Sequence, residues 1–378
     1  MNDASHRAAP GSATAGAAAP QVSVVMANHN GAAFLEASIA AVLNQTLSDL
    51  ELILIDDASQ DGSLVLARDI AARDPRLRVE SLETNAGPAR ARNRGLDLAR
   101  GRWIAVVDSD DLIRPERLER LSALGDARAA DIVADNLALF EHDPDQPFHL
   151  HLHGRQWRET RSVGLAEFID SNCMYGRAPN LGFLKPLIRR DRLEAGGVRY
   201  DDQLRIGEDY DLIARMMAAG AALCVDPQPL YAYRKHGASI SHRLGESHIV
   251  ALLEADDRFQ ACFRPFPPAV VPALARRRRS LNDALAYDRA VAALKARRPV
   301  AAVRAVLGRP TAWLLLTMPL KARLKRQRRG IERGAEATAA TLFAPMRCEA
   351  SQPVNKTGSR ELCVTGREAA PGGRHARV

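Results

Sequence analysis

Cysteine is scarce and scattered in this 378-residue chain. Cys173, Cys224, Cys262, Cys348 and Cys363 include no C-x-x-C pair, which argues against a structural zinc site and against a disulfide scaffold. A reducing, cytoplasmic setting follows. Aromatic residues are few, and none is interleaved with the basic runs, so the base-stacking surface of a single-strand nucleic-acid binder is missing. No run of 18 apolar residues occurs, so no membrane-spanning helix is indicated. Residues 1–20 are mostly Ala, Gly, Ser and Pro without the basic start and apolar centre of a signal peptide; they read as a disordered lead. No Gly-x-Gly-x-x-Gly follows the first strand and no Walker A pattern occurs, which excludes the common glycine cradles for phosphate. Any phosphates must be held by a metal and by side chains.

What the chain does have is a series of buried strands that run into acids. Ile104-Ala105-Val106-Val107 is short, branched and continuous, as in a strand covered on both faces, and it leads straight into Asp108-Ser109-Asp110-Asp111. Strand-like 21–26 ends in Ala27-Asn28-His29-Asn30-Gly31, and strand-like 51–55 ends in Asp56-Asp57. Helical spacing separates them at 32–46, 63–73 and 87–99. Such alternation predicts an α/β fold with a mostly parallel sheet. Parallel strands put their polar ends on one rim, where open α/β sheets bind ligands. Crowded carboxylates there call for a hard divalent cation such as Mg²⁺ or Mn²⁺. A solvated acidic turn is the bland alternative for any one of these stretches.

Further on, 115–125 reads as a helix, 131–136 as a strand, 141–160 as an irregular excursion and 182–188 as a strand. His149, His151 and His153 alternate, which fits a surface strand or a metal-facing one. Glu208-Asp209-Tyr210-Asp211 opens a helix running to about Gly220, where acids suit the positive end of the dipole without any chemistry. A strand from Tyr231 leads into a cationic loop.

Taken in order, these pieces resemble family 2 glycosyltransferases with the GT-A fold, over about residues 21–243. The resemblance rests on Val22-Ser23-Val24-Val25 with His29-Asn30, and on Leu54-Ile55-Asp56-Asp57-Ala58-Ser59-Gln60-Asp61-Gly62-Ser63. It continues through Asn85, Gly87-Pro88-Ala89, Ala91-Arg92-Asn93 and Gly95 to Asp108-Ser109-Asp110-Asp111. Glu208-Asp209-Tyr210-Asp211-Leu212 and the Tyr233–Ser241 stretch complete it. Residues 130–136 are similar to exopolysaccharide-assembly glucosyltransferases of the succinoglycan type.

The resemblance implies an inverting transfer of one sugar, glucose or a related hexose, from a UDP-sugar to a hydroxyl of a lipid-linked oligosaccharide. It implies Asp57, Ala27, His29 and Asn30 around the nucleotide. Asp110 would be the direct metal ligand, with Asp108 nearer the ribose and sharing the metal motif. Asp209 would be the general base, oriented by Glu208, and Arg234 and His236 would close over the diphosphate. The chain departs from the common pattern at His29, where many relatives have Tyr, and near Ala27, where a small hydroxyl or Pro is usual. It lacks a Gln-x-x-Arg-Trp motif, which disfavours processive synthesis.

Net charge is +8, but 276–333 holds 17 Lys and Arg against three acids, so the remainder is net negative. Residues 244–334 read as a basic helical extension, with Ile249, Leu252, Leu253 and Phe259 as one face, and 335–378 as a disordered tail. Thr311–Leu320 is apolar, carries Trp313 and precedes the basic run Lys321–Arg329. That suits a helix lying on an anionic membrane surface, or a plain basic packing helix. A sugar nucleotidyltransferase and a non-catalytic membrane adaptor are the competing functions. The first would want a glycine-rich basic phosphate loop after the first strand, which Asn28-His29-Asn30-Gly31 does not provide.

Overall fold

The computed structural model describes residues 19–141, 148–235 and 244–315. Its first half is strictly alternating. Strands β1 (Val22–Asn28), β2 (Leu50–Asp56), β3 (Leu77–Ser81) and β4 (Trp103–Val106) are separated by helices α1 (Ala32–Leu43), α2 (Ser63–Ala71) and α3 (Pro88–Leu98). Then come β5 (Leu112–Ile113), α4 (Arg117–Arg128), β6 (Ile132–Glu141), β7 (His149–Leu150), β8 (Arg161–Val163) and α5 (Leu165–Ser171). Next are β9 (Leu187–Arg189), α6 (Arg190–Ala195), α7 (Glu208–Ala218) and β10 (Leu223–Lys235). Helices α8 (Glu246–Phe263), α9 (Val270–Lys295), α10 (Pro299–Val306) and α11 (Pro310–Leu315) close the described chain.

All ten strands form one mixed, mostly parallel sheet in the order β3-β2-β1-β4-β9-β6-β10-β5, with β7 on β6 and β8 on β10. β1 pairs in parallel with β2 from Val22↔Leu50 to Asn28↔Asp56, and with β4 from Val22↔Trp103. β9 runs antiparallel to both β4 and β6. Every residue of β2 and β4 is buried, as expected of strands covered on both faces.

Helix α3 sets the geometry of the rim. Pro88 suits the first turn of a helix because its missing N–H would be unpaired there anyway. Gly87 before it takes φ +90, a conformation that side chains disfavour. Gly95 lets α3 lie directly on β1, since a Cβ there would sit 2.4 Å from Val25 Cγ1.

Two expected elements differ. The strand anticipated over 182–188 is a tight helical turn at Leu181–Phe183 followed by the short β9. Pro186 has no N–H for a ladder, so pairing begins after it. β10 begins at Leu223, well before Tyr231. Pro227 and Pro229 hid the strand, and register shifts flank Pro229 in its pairing with β6. The three alternating histidines do not converge. His151 Nε2 lies 2.7 Å from Asn180 O and His153 Nδ1 lies 3.2 Å from His151 O.

Ile249, Leu252, Leu253 and Phe259 are buried, as their spacing predicts. Part of the extension shares the core of the sheet, while Ile249, Leu252 and Leu253 form a second cluster with Leu204. Phe259 of α8 and Val270, Ala273 and Leu274 of α9 join the same core as the sheet. Among the described residues no helix is long and apolar enough to cross a membrane. The basic run Lys321–Arg329 and the tail 335–378 lie outside the described residues, as does most of the lead.

Candidate active site

The ends of β1, β2 and β4 meet on one rim, as the topology requires. At β1, buried Asn28 donates through Nδ2 to Asp56 Oδ1 (2.9 Å) and Ser59 Oγ (3.2 Å). His29 Nδ1 lies 2.7 Å from Asp57 O, and Asn30 Oδ1 accepts from Gln60 N (2.7 Å). Asn30 and Ala58 both take positive φ, so the two strand ends form paired tight turns. Gly31 borders Ser109 of the acidic motif; a Cβ there would lie 3.3 Å from Ser109 Oγ. Ala27 is half-buried, and His29 and Asn30 are exposed beside it.

Asp57 is buried and does not point freely into the rim. Its Oδ1 accepts from Ala86 N (2.7 Å) and its Oδ2 from Gly87 N (2.8 Å). It thus pins the start of α3. Five residues on, Arg92 reaches the acids. Arg92 Nη2 lies 2.7 Å from Asp108 Oδ1, and Nη1 lies 2.7 Å from Glu208 Oε1 and 3.3 Å from Asp209 Oδ1. From the opposite side Lys185 Nζ meets Asp108 Oδ2 at 2.9 Å and Asp209 Oδ2 at 2.8 Å. Two buried cations therefore draw the end of β4 and the first turn of α7 together. Asp108 and Asp209 thus share one buried cluster, and Asp57 is tied to it only through the loop that opens α3.

Electrostatics follow from that cage. Burial alone would raise the Asp108 carboxyl, but Lys185 and Arg92 outweigh it and hold it well below the usual range. Burial works against the charge of Lys185, and Asp108 and Asp209 overcome it, so the amine is held more firmly protonated than an ordinary lysine. Glu208 is pushed up by burial and by neighbouring Asp209, against the pull of Arg92.

Asp111 faces inward. Its Oδ2 accepts from Tyr231 OH (2.8 Å) and its Oδ1 from Arg234 N (2.7 Å), and burial with Asp110 and Asp108 nearby raises its carboxyl well above the ordinary value. Arg234 is buried, donates from Nε to Asp110 O (2.8 Å), and lays its guanidinium 4.6 Å from the ring centroids of both Phe34 and Phe140. As placed, it braces the backbone of the acidic motif. His236 lies outside the described residues.

The described donor set for a divalent ion is sparse. Both oxygens of Asp108 already meet Arg92 and Lys185, Asp110 is part-exposed, and no cluster of three or more His, Cys, Asp or Glu residues that could hold a metal occurs among the described residues. An ion held by one or two carboxylates and completed by phosphate oxygens matches how Mg²⁺ is commonly bound.

Sequence reasoning assigned no role to Arg92 or Lys185. Arg92 lies within the Ala91-Arg92-Asn93 stretch that carries part of the family resemblance. Lys185 gave one signal, a lone charge between Leu184 and Pro186-Leu187-Ile188, where an unpaired ammonium would be costly to bury.

Residues 23–190 match the model of the glycosyl transferase family 2. The chain is 37% identical to the succinoglycan biosynthesis protein ExoO of Rhizobium meliloti over 81% of this chain and 87% of that protein. It is 35% identical to ExoU of the same organism over 64% of this chain and 70% of that protein. Among solved structures, S. aureus TarS 1–349 in complex with UDP-GlcNAc aligns with a TM-score of 0.53 at 18% identity, over 75% of this chain and 90% of that one. The Pyrobaculum calidifontis mannosyltransferase PcManGT, in complex with GDP-Man and Mn²⁺, aligns with a TM-score of 0.51 at 18% identity, over 81% of each chain. The core that gathers Asp108 and Asp209 is the GT-A fold, and the chain belongs to glycosyl transferase family 2.

Proposed function

We propose that this glycosyltransferase moves one hexose, with inversion, from a UDP-sugar to a hydroxyl of a lipid-linked saccharide during exopolysaccharide assembly at the inner face of the cell membrane. The observation that carries the reading is the cage in which Arg92 and Lys185 gather Asp108 and Asp209. The similarity to two succinoglycan biosynthesis proteins supports the polysaccharide setting. Family membership favours glycosyl transfer over nucleotidyl transfer and over a non-catalytic adaptor.

In this reading Ala27, His29, Asn30 and Asp57 border the nucleotide, and Arg234 supports the Asp110 turn from behind. Asp110, with Asp108, would hold Mg²⁺ or Mn²⁺, and such an ion would supply positive charge beside the departing diphosphate. Asp209 accepts the proton of the acceptor hydroxyl. Both its oxygens already meet cations, but each carboxylate oxygen has a second lone pair, which leaves room for that proton. The acceptor oxygen then bonds to the anomeric carbon from the face opposite the leaving group. The bond to the diphosphate oxygen breaks, and the nucleoside diphosphate departs. Glu208 fixes Arg92, and so the distance between Asp108 and Asp209. The proton acceptor sits on α7 and the acidic motif follows β4, so base and metal ligands come from separate elements.

The test is a panel of nucleotide sugars with Mn²⁺, scored by nucleotide release, repeated with Asp209→Asn and Asp110→Ala. Both variants should stay folded and lose transfer by at least about a thousandfold, within the range of general-base and electrostatic contributions. Near-normal transfer by Asp209→Asn would overturn the assignment of the base. Release of pyrophosphate from a nucleoside triphosphate would overturn the reaction class.

A further inference from the structure

The far end of α9 and helices α10 and α11 are packed inside out. Their interior is small: Ala286, Ala290, Ala302, Val306 and Ala312 form a cluster of their own. The larger apolar side chains face solvent instead. Leu294, Val300, Val303, Leu307, Trp313 and Leu314 are 44% to 74% exposed, and they make up most of the exposed large apolar residues of the described chain. Val300 and Val303 are three apart on α10 and so share one face of that helix, and exposed Leu307 follows directly after its last residue. Scattered exposed apolar residues are ordinary; a contiguous apolar face marks an interaction surface.

The charge of the same stretch is of one sign. Residues 289–315 contain Arg289, Lys295, Arg297, Arg298, Arg304 and Arg309 and no acid. Arg289 pairs with Glu246 and Arg309 with Asp283. Lys295, Arg297, Arg298 and Arg304 have no carboxylate partner among the described residues, although most arginines of the sheet domain do. Arg289, Arg298 and Arg304 line an open surface hollow together with Ala293, Val300 and Ala305.

We propose that this face docks on an anionic phospholipid bilayer. Apolar side chains with an interfacial Trp enter the headgroup boundary, and the unpaired cations meet lipid phosphates. The inference rests on the reading of a lipid-linked acceptor and locates the contact on the described helices α10 and α11. Arg277 of α9 touches Tyr210, the neighbour of Asp209, and Leu294 lies roughly 25 Å further along the same helix axis at 1.5 Å per residue.

The test uses the full-length chain and co-sedimentation with vesicles of phosphatidylglycerol or phosphatidylcholine, without donor or acceptor. Wild type should bind the anionic vesicles and be released by salt. The triple changes Arg297→Gln/Arg298→Gln/Arg304→Gln and Val300→Ser/Val303→Ser/Leu307→Ser should each weaken binding about tenfold or more while nucleotide release persists. Equal binding by the variants, or by neutral vesicles, overturns the proposal. So does a monomer that binds neither, whose face is covered by its own residues 316–378. So does a dimer abolished by the serine variant, which assigns the face to a second copy. Vesicle binding without nucleotide release from any donor would overturn the proposed reaction and leave the docking face standing.

Discussion

The Arg277 guanidinium lies 3.7 Å from the centroid of the Tyr210 ring, so a residue of the C-terminal extension bears on the residue beside the proposed base. Arg277 also donates from Nε to Asp256 Oδ1 (3.0 Å) and from Nη1 to Asn172 O (2.7 Å), and is itself buried. Tyr210 stacks in turn on Phe168, with ring centroids 5.5 Å apart. Arg277→Met should therefore destabilise the protein by about 3–5 kcal/mol, because it leaves Asp256 buried without its cation. Adding Asp256→Leu should restore much of the loss, since an apolar pair often replaces a buried ion pair well. Urea unfolding of both variants checks this; full stability of the single variant would remove Arg277 from the support of α7.

Lys185 contributes by holding two acids that would otherwise repel. Lys185→Met leaves Arg92 as the one cation common to Asp108 and Asp209, with a further bond to Glu208. We expect a stability loss of about 3–5 kcal/mol and a fall in kcat of about tenfold or more, with a smaller change in donor KM. Lys185→Arg keeps the charge but brings a planar fork where a compact ammonium bridges two oxygens, so it should recover stability better than kcat. Thermal melts and steady-state kinetics on the same preparations separate the two effects. Unchanged kcat in Lys185→Met would show that the spacing of Asp108 and Asp209 does not govern the rate.

The strand ends and their convergence were legible in the sequence because each buried strand runs directly into polar residues, and parallel topology does the rest. Asp108 lies at such a strand end, whereas Glu208 and Asp209 open α7 and are singled out only by the family resemblance; Arg92 bonds all three. The cations that join them were not legible. Arg92 sits mid-helix and Lys185 between a helical turn and β9, and nothing in local periodicity says that both side chains turn inward. For Asp57 the family resemblance implies a nucleotide contact. The structure adds that both its oxygens hold backbone N–H groups of the loop before α3, a long-range pairing that spacing cannot reveal. β10 was placed too late because its two prolines look like strand breakers, whereas the structure absorbs them as register shifts.

Glu208 offers a pH test. Its carboxyl is raised in the folded protein, by burial first and Asp209 second. A raised carboxyl binds its proton more tightly folded than unfolded, so its contribution is most favourable below the unfolded value near 4.3 and is lost as pH rises through the folded value. Glu208→Gln removes that slope and keeps an oxygen for Arg92. Relative to wild type, the variant should gain stability between about pH 4 and neutrality. Urea midpoints at pH 4.5 and 7.5 decide it: a wild-type-to-variant difference that does not change with pH would mean that Glu208 titrates as an exposed carboxylate.

Arg234 separates binding from chemistry. Its guanidinium lies against Phe34 and Phe140 and its Nε supports Asp110 O, so it holds the proposed metal ligand in place from behind. Lysine keeps the charge but has no planar group to lie between two rings and no Nε donor at that distance along the chain. Arg234→Lys should therefore loosen the Asp110 turn while leaving Asp209, Arg92 and Lys185 where they are. We expect the Mn²⁺ concentration for half-maximal activity to rise about tenfold, in line with the loss of a group that orients a metal ligand, and kcat at saturating Mn²⁺ to fall by much less. A metal titration of nucleotide release checks both numbers. If kcat collapses while the Mn²⁺ requirement is unchanged, Arg234 acts on the reacting groups directly, and the bracing role is wrong.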